Sequence, residues 1–122
     1  MRVLMLLTLT ASVLTAQTPT PAPNAAPRGS VENGKKLFVA YGCYQCHGYA
    51  AQGGASGDRG GPRIAPRPIA FAAFSKYVRR PLDQMPPYTQ KLASDQDLAD
   101  IYAWLLTVPE PPPVNSIPQL RN

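Results

Sequence analysis

The chain is short of the residues that build metal clusters and acid–base machinery. Its 122 residues hold two cysteines and one histidine. A structural zinc site needs four ligands, usually in paired clusters, and a second cluster does not exist here. No stretch alternates as a strand does, so the βαβ setting of a thioredoxin-like redox pair is missing. No apolar run reaches the ~20 residues of a membrane-spanning helix. The net charge of +5 has no recognised nucleic-acid motif to go with it. These absences leave a small all-α domain and one place to look for chemistry.

That place is Cys43-Tyr44-Gln45-Cys46-His47, which gathers both cysteines and the only histidine. Cys-x-x-Cys-His reads as a c-type haem attachment site. Two thiols spaced by two residues can each bond one vinyl group of the same haem, and His47 then lies under the iron as proximal ligand. The bland alternative is a Cys43–Cys46 disulfide, the ordinary fate of two thiols in an exported chain. A disulfide gives no reason for a histidine directly after the second cysteine. One motif implies one haem c.

The two ends of the chain carry no core. Arg2 and an apolar run to about Leu14, followed by Thr15-Ala16-Gln17, read as a signal peptide over residues 1–16. An uncleaved anchor facing the periplasm is the alternative, for which the run is short. Export to the periplasm agrees with covalent haem attachment, which in bacteria takes place outside the cytoplasm. Residues 17–29 form a Pro/Ala-rich leader, in which proline fixes φ and removes backbone donors. Pro109-Glu110-Pro111-Pro112-Pro113 opens a second Pro-rich segment, 109–122, suited to polyproline II. The folded domain is therefore expected over 30–108.

Within it three helices are expected. The first starts at Ser30 as N-cap, has Glu32 in its first turn and ends at Gly42; Val31, Leu37, Phe38 and Tyr41 share a face. Gly34 costs ~1 kcal/mol inside a helix, and close approach of another helix would explain it. A middle helix carries Phe71, Phe74 and Val78, ends at Pro81, and has Arg79 and Arg80 in its last turn. The last is capped by Ser94 with Asp97 as a capping-box partner; its apolar stripe is Leu98, Ile101, Tyr102, Leu105 and Val108, with Trp104 beside it, and Pro109 ends it. Residues 48–68, rich in Gly, Pro and Arg, form a long loop of the kind that is usually functional or disordered.

With His47 on one face of the iron, the other face needs a ligand or stays open. There is no second histidine. Met1 and Met5 belong to the signal peptide, so Met85 is the only thioether of the mature chain. It stands between two helices, followed by Pro86 and Pro87, which stiffen the loop. The alternative is a methionine filling a gap in the core.

Together these residues resemble the small bacterial class I cytochromes c. The resemblance covers about residues 30–108 and runs in order through Gly34 and Phe38, Cys43–His47, Gly61-Pro62-Arg63-Ile64, Met85-Pro86, and Ile101 with Trp104-Leu105. It implies a fold of three to four helices around one haem, with the first and last crossing closely and Trp104 packed against the crossing. It also implies that the Pro62 carbonyl accepts the Nδ1 proton of His47 and that Ile64 borders the haem, where the family usually has Leu. The function implied is single-electron transfer through His/Met-ligated iron, as a free carrier or as a subunit of an exported dehydrogenase or oxidase chain, with no bond chemistry of its own. A gas- or peroxide-reactive haem protein is the competing reading. It requires Met85 to be absent or labile, and no distal acid–base pair accompanies it. Between Arg28 and Arg80 nine Lys or Arg face only Glu32 and Asp58, which points to an acidic redox partner.

Overall fold

The computed structural model describes residues 25–54 and 60–120. The expected signal peptide and most of the leader lie outside them. The described residues hold four α-helices and no strand: α1 (Val31–Ala40), α2 (Tyr44–His47), α3 (Phe71–Arg79) and α4 (Asp95–Leu105). Two 3₁₀ turns, Val114–Ser116 and Pro118–Leu120, follow.

Local signals start the two long helices. The Ser30 side chain accepts from Asn33 N–H at the head of α1. Ser94 and Asp97 form a complete capping box on α4, each accepting the other's backbone N–H. The ends are less simple. α1 stops at Ala40 rather than at Gly42. Gly42 takes φ +75°, its N–H donates to Val39 O, and the Cys43 N–H donates to Phe38 O. This is a Schellman cap, which needs a left-handed residue just past the helix, and glycine adopts that conformation without a Cβ penalty. The cap leads the chain directly into the cysteine pair.

The last helix is shorter than its apolar stripe suggests. It ends at Leu105, and Thr107 N–H donates back only three residues, to Trp104 O, so the final turn tightens before Pro109. Val108 still packs on the core from outside the helix.

α1 and α4 form the main seam. A Cβ on Gly34 would stand 1.9 Å from Asp100 O, and one on Gly29 would stand 2.2 Å from Ala99 O. Both glycines permit backbone contact that no other residue would. Phe38 and Trp104 pack across the seam with ring centroids 4.7 Å apart, so Trp104 is core and not a flank. Phe71 and Phe74 of α3 close on Tyr102 at 5.2 and 5.4 Å. The centre is built of Phe38, Leu98 and Leu105, each almost fully removed from water.

Polar groups also stitch the seam, and these are not visible as periodicity. Asp100 is only 5% exposed. Its Oδ1 accepts from Ser30 N–H and Gln96 Nε2, and its Oδ2 from Asn33 Nδ2. Burial alone would raise its pKa. The bonds from Asn33, Ser30 and Gln96 outweigh that and hold the carboxyl below the usual carboxylate range. At the other end of α1, Tyr41 OH donates to Asp97 Oδ2. Two acids of α4 therefore grip both ends of α1.

Candidate functional site

The site is assembled from two stretches of unlike construction. The first is α2 and the loop that returns to it. His47 ends α2 and is buried, 8% exposed. Its Nδ1 lies 2.8 Å from the Pro62 carbonyl. A carbonyl only accepts, so Nδ1 carries a proton, and in the neutral ring Nε2 is the nitrogen that keeps the lone pair. Gly61 lies flat against the ring: a Cβ there would stand 2.6 Å from His47 Cε1. Backbone bonds lock this arrangement. Gly61 N–H donates to Cys46 O, Gly53 N–H to His47 O, and Ile64 N–H to Ala51 O. The long loop is thus ordered around the histidine over its described residues. Nothing in the spacing of Gly61 announced its contact with the imidazole; a glycine directly before the accepting carbonyl of Pro62 was the available signal.

Cys43 and Cys46 are not bonded to each other; Cys46 is exposed and Cys43 half-buried. Burial pushes the Cys43 thiol up to about 11, against a smaller opposing pull from the Tyr88 hydroxyl, so it is neutral at pH 7. Burial, with Cys43 second, likewise pushes Tyr88 up to about 12.

The second stretch runs from the end of α3 to the start of α4 and carries Met85. Met85 is half-buried and packs on the edge of the same core as Cys43, Ile64, Tyr88 and Phe71. Cys43, Ile64 and Met85 each pack against this core, and the Pro62 carbonyl meets His47. Tyr88 anchors this stretch: its N–H donates to Val78 O and its hydroxyl to Tyr41 O at 2.6 Å.

Residues 29–105 match the family model described as cytochrome C oxidase, cbb3-type, subunit III. The chain belongs to this family of c-type cytochrome domains. No curated protein and no solved structure matches it. The cytochrome c domain is all-α and serves haem-based electron transfer. Its residues fit a haem on structural grounds. The only histidine has Nδ1 on the Pro62 carbonyl, which leaves Nε2 as the nitrogen that could bind a metal, and the two thiols stand one helical turn apart, Cys43 at the head of α2 and Cys46 within it. Among the described residues no group of three His, Cys, Asp or Glu side chains is placed to hold a bare metal ion instead.

Proposed function

We propose that the chain is an exported mono-haem cytochrome c that passes single electrons with His47 and Met85 as axial ligands. Cys43 and Cys46 carry the two thioether bonds, and Pro62 and Ile64 border the group. When bound, the haem supplies one reversible electron at its iron. This chain's residues set the conditions. Pro62 accepts the imidazole proton on Nδ1, which leaves Nε2 as the atom that would bind the iron. The observation that carries the reading is the 2.8 Å contact between His47 and Pro62, with Gly61 pressed on the ring.

The name of the matching family supports a role beside a terminal oxidase over a free carrier. The acidic-partner reading is narrower than the sequence alone suggested. Lys36 pairs with Glu32, Arg63 and Arg67 meet Glu110, and Arg79 meets Asp95. Among the described residues Arg28, Lys35, Lys76 and Arg80 are exposed and remain for docking. Electron-transfer rates with an acidic partner should then fall as salt rises, because screening weakens steering.

The test is a pyridine haemochrome spectrum and an intact mass of the protein matured by an exporting host. One haem, two thioethers and a chain starting after Ala16 are expected. A Cys43–Cys46 disulfide in that material would overturn the haem reading, and a retained N-terminus would favour the anchored form.

A further inference from the structure

We infer that Arg79 is the positioning residue for the Met85 side of the site. The inference rests on Met85 being an axial ligand. Arg79 ends α3, and its side chain is only 18% exposed although it is charged. Its guanidinium spans the segment that follows Met85. Nη1 donates to Tyr88 O at 2.8 Å and to Ala93 O at 2.6 Å, and Nη2 donates to Asp95 Oδ1 at 2.6 Å. One side chain thus closes the loop 88–93 on itself and ties it to the ends of both α3 and α4.

Tyr88 is where this grip reaches the ligand. Only Pro86 and Pro87 separate it from Met85, and two prolines in succession make a stiff spacer. Among the described residues, 81–87 take no backbone–backbone hydrogen bond. Met85 is therefore held from its far end through Tyr88, and Arg79 holds Tyr88. The planar fork explains the residue type. A lysine could neutralise Asp95, but its ammonium cannot bridge two carbonyls and a carboxylate in this geometry. Charge alone would favour any base in the last turn of α3, so the carbonyl contacts are what single out Arg79 from Arg80.

The test compares the holoprotein with Arg79→Lys, Arg79→Gln, Asp95→Asn and Met85→Ala. Three readouts are taken: the weak red band of methionine–iron coordination in the ferric state, the rate of carbon monoxide binding to the ferrous state, and amide exchange over 82–93. Both Arg79 variants should bind carbon monoxide about tenfold faster or more, as expected from losing charge-assisted bonds to two carbonyls. They should lose the red band at lower temperature than global unfolding and exchange faster over 82–93. Asp95→Asn, which keeps both carbonyl bonds, should stay within about twofold of wild type, since Asp95 is itself largely exposed. If both Arg79 variants match wild type in band and carbon monoxide rate while Met85→Ala loses the band, the inference is wrong and the Met85 reading stands. If Met85→Ala matches wild type, the ligand reading itself has failed. If Arg79→Lys loses only global stability, with the band melting together with the fold, Arg79 is structural and the inference is again overturned.

Discussion

The two stretches proposed to face the haem, around His47 and around Met85, are built differently. Around His47 the chain is held by its own backbone: three loop segments donate to or accept from α2 and its neighbours, and the imidazole is wedged between Gly61 and the Pro62 carbonyl. Around Met85 the backbone is nearly unbonded, and a few side chains, Arg79 and Tyr88 first, do the holding. Backbone ladders are cooperative and hard to open singly. Side-chain ties can be lost one at a time, and low local contact gives low local stability. The histidine side should therefore behave as part of the fold, and the methionine side as a separable element.

The strongest way to break that comparison is at Gly61. A methyl group there would overlap His47 Cε1 and Nδ1, and the ring has no room to yield without leaving Pro62. Gly61→Ala should cost about 3 kcal/mol or more, at the upper end of overpacking effects, and should lower haem incorporation together with thermal stability. A variant that loses ligation but melts as wild type would show that the histidine side is separable too.

Met85→Ala should produce the opposite pattern. The red band should vanish and the sixth position should open to water, cyanide or carbon monoxide. The reduction potential should fall, because a thioether favours Fe(II) over Fe(III). The melting temperature should change less than in Gly61→Ala, since Met85 is only half-buried. A wild-type protein that binds carbon monoxide as fast as Met85→Ala would mean an iron open from the start, and Met85 would then be packing alone.

This contrast also explains what could be read from the sequence. Cap and motif signals are local. Ser30, Ser94 with Asp97, and the Cys-x-x-Cys-His run each declare themselves within a few residues. Gly34 was legible because glycine inside a helix is costly and therefore needs a reason. Pro62 entered through family resemblance, since nothing near it names His47. Arg79 was legible only as a charge near a helix end, and its carbonyl partners lie 9 and 14 residues on. Asp100 was invisible for the same reason: its partners on the α1 side are 67 and 70 residues away. A buried carboxylate interrupts an apolar face without any period of its own. The acids of α4 and the tail looked segregated from the bases along the chain, yet folding sets Asp95 on Arg79 and Glu110 on Arg63 and Arg67.

The smallest effect sharpens the comparison by touching neither side of the site. Asp100 joins α4 to the head of α1, away in the chain from both proposed ligands. Asparagine there would turn an NH₂ toward Ser30 N–H, Gln96 or Asn33, all of them donors. The loss should be about 1–2 kcal/mol at pH 7, the cost of a charged acceptor exchanged for an unpaired donor. The pH dependence has a definite sign. The folded-state pKa of Asp100 lies below its unfolded value of ~3.9, so the carboxylate contributes stability that is fully present above that pH. It is lost as pH falls below ~4 through the folded-state value, because protonation then favours the unfolded chain. Asp97, lowered chiefly by its bond from the Ser94 backbone, titrates the same way and remains in the variant. Chemical denaturation of Asp100→Asn between pH 7 and 3 should therefore show a shallower acid decline than wild type, not a flat one. The red band at pH 7 should be unchanged. If the band weakens with Asp100→Asn as it does with Met85→Ala, the α1–α4 seam and the methionine loop are one cooperative unit, and the division between the two sides does not hold.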